Sequence, residues 1–294
     1  MNLLPWAYHT SAQITLRGWH STPSGKPVLH FLHGNGFCGR VYEPMLARLS
    51  YDFDLWLCDI QGHGDSDAGS RFFGWNHNAE LAVEAFQAQR QMFGDVPVYA
   101  VAHSLGGVLS SLIMAEHPQL FKRAVLLDPV IFTPRLQVFI KTCERLGVTG
   151  FSKLAKKTAV RRMHWPDRQV AYASLTGRGT FKGWTTAALT AFVDHALRPA
   201  EEGGVQLKCS PQLEATIFSS AANGLWRALR KVQTPVLMVY GAETFPFVIK
   251  SAALWRQRNS HVRTKQVSGG HCFMQQDPAM AAQQVRDFLL STTC

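Results

Sequence analysis

Short apolar runs alternate with amphipathic stretches along most of this chain. Pro27–Leu32, Phe53–Cys58, Val96–Val101, Ala124–Leu127 and Pro235–Tyr240 are compact apolar runs, and Val262–Val267 is a later, more polar one. Runs of this length read as strands buried on both faces, the condition of a parallel sheet covered by helices on either side. Between them, Arg40–Leu49, Asn78–Phe93 and Val108–Glu116 read as helices. A closing helix starts with Asp277 as N-cap and Pro278 in its first turn, and its Ala281, Val285, Phe288 and Leu289 share one face. Ile14–Trp19 reads as an antiparallel strand leading in. The alternation predicts an α/β fold with a mostly parallel sheet flanked by helices.

One stretch interrupts the alternation. From about Thr133 to Asn223 no buried parallel strand appears, and the sequence reads as several irregular helices rich in aromatic and basic residues. The expected organisation is therefore a core made of residues 1–132 and 224–294, with 133–223 inserted as a helical cap. Charge follows the same boundary: residues 135–231 hold 16 Lys and Arg against 6 Asp and Glu, so the chain's net charge of +10 resides there. Such a field attracts anionic substrates, acidic partners or a membrane surface, or simply keeps a face solvated. Lys153-Leu154-Ala155-Lys156-Lys157 and Arg161-Arg162 have the pattern of a basic amphipathic helix, but no nucleic-acid recognition motif accompanies them, so nucleic-acid binding is not expected.

Composition narrows the classes further. With 294 residues and 46% hydrophobic content the chain can bury a large core. It shows no basic n-region followed by an apolar stretch, and no run of the roughly 20 apolar residues that a membrane span requires, so the expectation is a cytoplasmic protein without a membrane span. Cys38, Cys58, Cys143, Cys209, Cys272 and Cys294 lack C-x-x-C spacing, which argues for reduced thiols and against a zinc site or disulfide framework. Length and composition leave the oligomeric state open.

The chemistry concentrates at Ala102-His103-Ser104-Leu105-Gly106. A serine with small residues two before and two after fits a sharp turn from strand to helix, which lifts the hydroxyl above the sheet and aims helix N-terminal N–H groups toward it. A serine hydroxyl needs a base to take its proton during attack. His271, in Gly269-Gly270-His271 beyond the last strand, is the candidate, because ligand crevices form where parallel strands end. The base needs a carboxylate to hold its tautomer. Two are available: Asp128, which ends a strand in Leu126-Leu127-Asp128-Pro129, and Glu243, in Gly241-Ala242-Glu243-Thr244. Charge developing on a carbonyl oxygen calls for two backbone donors: the Leu105 N–H and an N–H from His33-Gly34-Asn35-Gly36-Phe37, where Asn35 offers its backbone and also its side-chain amide. His33 and His63 read as loop-organising residues, His103 as packed or hydrogen-bonded, and Cys272 as packing.

Four motifs in this order resemble the α/β-hydrolase superfamily, in its serine-nucleophile branch with an inserted cap: His33–Phe37, Asp59-Ile60-Gln61-Gly62-His63-Gly64-Asp65-Ser66, Ala102–Gly107 and Gly269–His271. The resemblance covers nearly the whole chain. It implies a Ser104–His271–acid triad and a reaction that needs no metal or organic cofactor. The sequence departs from the commonest pattern at Thr244, which stands where the family often places its aspartate. The haloalkane-dehalogenase branch carries its acid at the earlier strand end, and Asn35 and the Gly-Ala-Glu loop are similar to that branch; Asp128 is therefore preferred, with Glu243 as the alternative acid. Ser104 argues against the chemistry of that branch and of epoxide hydrolases, which use an aspartate nucleophile.

The resulting expectation is a carboxylesterase- or lipase-like serine hydrolase acting on a small-molecule acyl substrate, anionic or apolar, through an acyl-enzyme. Phe132, Phe139, Phe151, Trp165, Phe181, Trp184 and Phe192 are available to roof an apolar pocket. Acyl transfer, lactone or C–C bond hydrolysis and cofactor-free haloperoxidase activity use the same three side chains. A noncatalytic ligand-binding protein that lost its acid is the reading from a different class.

Overall fold

The computed structural model describes residues 1–147 and 152–291; Phe151 and Cys294 lie outside the described residues. Its strands are β1 (Leu3–His9), β2 (Thr15–Ser21), β3 (Val28–Leu32), β4 (Asp54–Asp59), β5 (Val98–His103), β6 (Ala124–Leu127), β7 (His164–Trp165), β8 (Leu197–Pro199), β9 (Val205–Leu207), β10 (Val236–Gly241) and β11 (Val262–Val267). Eight form one sheet in the order β1-β2-β4-β3-β5-β6-β10-β11. From β4 to β11 every pairing is parallel, while β2 pairs antiparallel with both β1 and β4. The central strands β3, β4, β5 and β6 are buried along their whole length, as their continuous apolar runs demand.

Alternate residues of each strand feed two cores. On one face Val28, Trp56, Ala100, Leu126 and Met238 pack with residues of the helices Trp75–Gln89 and Leu105–Glu116. On the other, Leu29, Phe31, Leu57, Val101, Val125 and Val239 pack with the helices Glu43–Leu49 and Pro278–Leu290. The closing helix is capped as predicted, with the Asp277 side chain accepting from the Met280 N–H at 2.9 Å, and it buries Ala281, Val285 and Leu289.

Several elements differ from the sequence expectation. The helix after β5 begins at Leu105, immediately at the serine, rather than at Val108. The segment predicted as Arg40–Leu49 divides into a 3-10 turn, Gly39–Tyr42, and a helix from Glu43 with Pro44 in its first turn. The helix expected over Asn78–Phe93 starts at Trp75 and tightens into a 3-10 turn at Arg90–Phe93. Strand β1 carries no such signal in the sequence; it contains Pro5, which has no N–H to give to a ladder and is tolerated in a strand at the sheet edge. Between β6 and β10 lie the helices Pro134–Arg145, Lys153–Ala159, Arg168–Leu175, Thr186–His195, Pro211–Phe218 and Leu225–Lys231. The same stretch also holds a small antiparallel sheet in the order β7-β9-β8, formed by strands too short to carry a periodic signal.

Polar residues also lie in the core, His30 among them. His30 on β3 is fully buried, stacks on Trp56 at 4.8 Å between ring centroids, and meets the edge of Phe86; neither ring nitrogen has a hydrogen-bond partner. Burial holds its pKa down to about 3, from an ordinary 6.5. A depressed folded-state pKa means that the unfolded chain takes up this proton first, so the stability present above pH 6.5 is lost as acid is added. Between pH 6 and 4 the stability of His30→Leu, measured by urea unfolding, should fall less steeply than wild type, by about 1.4 kcal/mol per pH unit. Equal slopes would show that His30 does not resist protonation in the fold.

Candidate active site

Ser104 occupies the single residue between β5 and its helix, at φ 54° and ψ −116°. A non-glycine residue at positive φ is strained by about 1–3 kcal/mol, and the surroundings must enforce it. They do so by close approach. A β-carbon on Gly106 would stand 2.3 Å from the Leu32 carbonyl oxygen, and one on Gly107 would stand 2.6 Å from Pro129 Cβ. The Gly106 N–H donates to His33 O at 3.1 Å and the Ser104 N–H to Leu127 O at 3.1 Å, so the turn is tied to the ends of β3 and β6. The small residue two positions after the serine is thus a packing requirement.

Three side chains from separate strand ends meet here. His271 Nε2 lies 3.0 Å from Ser104 Oγ, and His271 Nδ1 lies 2.7 Å from Asp128 Oδ1. With Nδ1–H donating to the carboxylate, Nε2 is left to accept from the serine hydroxyl. Asp128 is completely buried and itself has φ 46°. Its Oδ2 accepts from the Gly241 N–H at 2.8 Å and its Oδ1 from Thr244 Oγ1 at 2.5 Å. Glu243 is exposed, and its backbone N–H donates to Gly269 O. Of the two candidate acids, the structure brings Asp128 to His271 and leaves Glu243 in solvent. Thr244, the departure from the family pattern, hydrogen-bonds that same carboxylate.

The loop after β3 lies against the serine: a β-carbon on Gly34 would stand 3.2 Å from Ser104 Cβ. Among the described residues neither the Asn35 nor the Leu105 backbone N–H is engaged by an acceptor. The Asn35 side-chain amide, expected as a further donor, gives one N–H from its Nδ2 to Glu214 O at 3.0 Å. His33 and His63 organise this loop, as expected. His33 Nδ1 donates to Gly34 O and its Nε2 accepts from the Ile60 N–H; His63 Nδ1 donates to Gln61 O and its Nε2 accepts from the Gly36 N–H. Burial keeps both neutral, His33 well below its ordinary pKa and His63 down to about 4.

Sequence reasoning missed Tyr42. Its hydroxyl accepts from the Gly34 N–H at 3.0 Å and donates to His103 Nδ1 at 2.6 Å, while His103 Nε2 donates to the carbonyl of His271 at 3.1 Å. Burial and the neighbouring His271 hold the His103 pKa well below its usual value, so it stays neutral with one donor and one acceptor. One line of hydrogen bonds therefore joins the loop after β3, the elbow and the loop bearing His271. A buried Tyr inside a predicted helix gave no polar signal.

The aromatic residues divide into groups. Phe181, Trp184 and Phe192 pack on one another, and Trp184 and Phe192 also meet Phe37, with centroids 4.7–6.2 Å apart. Phe245, unflagged by the sequence, faces His271 at 5.0 Å and stacks on Phe247, which meets Phe132. Trp165 is a core residue bonded to Ser174, and Phe139 is half exposed, so neither roofs the serine. Cys272 is buried, with its thiol pushed up to about 12 by burial, as a packing residue should be. Among the described residues the five cysteines are free.

A model of the alpha/beta hydrolase family matches residues 31–284. The chain belongs to that family. Among curated proteins it is 26% identical over 234 residues to a 2-(acetamidomethylene)succinate hydrolase of Mesorhizobium japonicum, covering 78% of this chain and 74% of that protein. It is 30% identical over 120 residues to a monoglyceride lipase of Mus musculus; that match covers 39% of each chain, about two fifths of the lipase. A crystal structure of E-2-(acetamidomethylene)succinate hydrolase superposes over 99% of this chain and 100% of its own, with a TM-score of 0.76 at 20% identity, which shows a shared fold. Both of these relatives are named as hydrolytic enzymes. No helix among the described residues is long and apolar enough to cross a membrane.

Removing the Tyr42 hydroxyl strands two buried groups, the Gly34 N–H and His103 Nδ1. Tyr42→Phe should lower unfolding free energy by about 1–3 kcal/mol in denaturant titration. A loss under about 0.5 kcal/mol would mean that the line of hydrogen bonds does not bear on the fold.

Proposed function

We propose that this chain is a serine hydrolase that cleaves a carboxylic ester or related acyl compound through an acyl-enzyme, with Ser104 as nucleophile, His271 as base and Asp128 as the acid that orients it. The observation that carries this is the continuous hydrogen-bonded line Asp128–His271–Ser104 at 2.7 and 3.0 Å. As Ser104 Oγ attacks the acyl carbon, His271 Nε2 takes its proton and the Asp128 carboxylate stabilises the imidazolium. His271 then returns the proton to the leaving group. A water, deprotonated by His271, attacks the acyl-enzyme and releases the acid and the free serine. The N–H groups of Leu105 and Asn35 would receive the negative charge on the former carbonyl oxygen.

Residues 133–223 serve in this reading as a cap, placing Phe181, Trp184 and Phe192 against the loop that holds Asn35. The named relatives differ in substrate, a monoglyceride in one and a 2-(acetamidomethylene)succinate in another. Hydrolysis is what they share and lend to this reading.

On a short activated ester such as 4-nitrophenyl acetate, Ser104→Ala and His271→Ala should each lower kcat by at least about 10³-fold, and Asp128→Asn by about 10³- to 10⁴-fold. Glu243→Gln should stay within twofold of wild type. A large loss confined to Glu243→Gln would transfer the acid role to Glu243, and full activity in Ser104→Ala would remove the nucleophile.

A further inference from the structure

Arg161 follows the helix Lys153–Ala159 and makes an ion pair with the buried Glu214 carboxylate, Nη1 to Oε2 at 3.1 Å. Glu214 presses on the turn of the candidate site. Its carbonyl holds the Asn35 amide, and a β-carbon on Gly36 would stand 2.8 Å from its Oε1. The rest of the guanidinium is unused: Nε and Nη2 are buried and have no hydrogen-bond partner among the described residues. These two nitrogens lie on one edge of the planar group. Their parallel N–H bonds form the side-on fork that matches the two oxygens of a carboxylate.

Two buried donors left open on the same edge are costly for a fold, and a ligand that fills them is rewarded accordingly. The positive charge also persists. Burial pushes the Glu214 carboxyl up to about 7 against the opposing pull of Arg161, so this acid does not fully neutralise its partner. Lys208, by contrast, is committed to Asp65 at 2.9 Å. Arg161 lowers the pKa of His63, whose Nε2 accepts the Gly36 N–H at 3.0 Å. The fork, the Asn35–Gly36 turn and His63 thus share one electrostatic neighbourhood.

We propose that the Nε/Nη2 edge of Arg161 is a carboxylate subsite, and that the preferred substrates are acyl compounds carrying a free carboxylate away from the bond that is cleaved. This rests on the serine-hydrolase reading and adds to it a substrate class. The carboxylate docks side-on on Arg161, opposite the Glu214 contact, and fixes the acyl chain relative to Ser104. Its effect belongs mainly to KM, because the contact is the same in ground and transition states.

The test compares mono-4-nitrophenyl esters of glutarate, adipate and suberate with their ω-methyl esters, a series that isolates the remote charge at three chain lengths. Wild type should prefer the acid over its methyl ester by tenfold or more in kcat/KM at one length at least, with the difference in KM. In Arg161→Gln that ratio should fall to within twofold, and in Arg161→Lys, which keeps the charge and loses the fork, to an intermediate value. Because Arg161→Gln leaves Glu214 unpaired, the double variant Arg161→Gln, Glu214→Gln is measured beside it and should show the same collapse. A wild-type preference for the methyl ester at all three lengths, or an acid preference that survives in both glutamine variants, overturns the proposal. If none of the esters is turned over, the hydrolase reading fails and the subsite is judged separately by calorimetric titration of adipate. Binding lost in the double variant upholds the subsite, and absent or unchanged binding overturns it.

Discussion

The close approach of the elbow helix to the end of β3 is the constraint from which the rest of the site follows. With Gly106 set against the Leu32 carbonyl, the chain has no room to leave β5 gradually, and the whole reversal falls on Ser104 at φ 54°. Strain of this kind is retained only where neighbouring contacts enforce it. Here those contacts come from both adjoining strands, through the Gly106 bond to His33 O and the Ser104 bond to Leu127 O. The serine is therefore placed by the sheet itself, which makes its position insensitive to surface loops.

The same economy governs its partners. Asp128 is a buried carboxylate, an expensive group to remove from water unless hydrogen-bond donors answer its two oxygens. Gly241, Thr244 and His271 answer them. The Thr244 hydroxyl donates to the carboxylate that follows the neighbouring strand β6, so the loop after β10 helps hold Asp128 in place. His103 and Tyr42 add a second link on the far side of the imidazole, through its backbone rather than its ring. Ring orientation and loop position are thus set by independent contacts.

What the sequence disclosed depended on whether a feature is local. The buried parallel strands were legible because both faces are covered, giving continuous apolar runs. Ser104 and His271 were legible because their glycine neighbours report backbone geometry. Asp128 was preferred over Glu243 through a resemblance, and its settled contacts depend on Thr244, 116 residues away. Tyr42 was not identified and Arg161 was read only as part of a basic run, since a tyrosine in an apolar stretch and an arginine in a basic one acquire meaning only from distant partners. The same holds for β7, β8 and β9, which are too short for a period to emerge. Asn35 shows the converse: its place in the loop was read correctly, while its amide proved to be engaged by Glu214 from a helix 179 residues on.

The proposed function assigns the reacting atom to one hydroxyl held over one imidazole. Reaction of the native protein with a fluorophosphonate, followed by peptide mapping of the adduct by tandem mass spectrometry, tests that assignment most directly. A single phosphonylated residue at Ser104, formed in stoichiometric amount, is the expected result. An adduct on any other residue of the folded protein, with Ser104 unmodified, would contradict it.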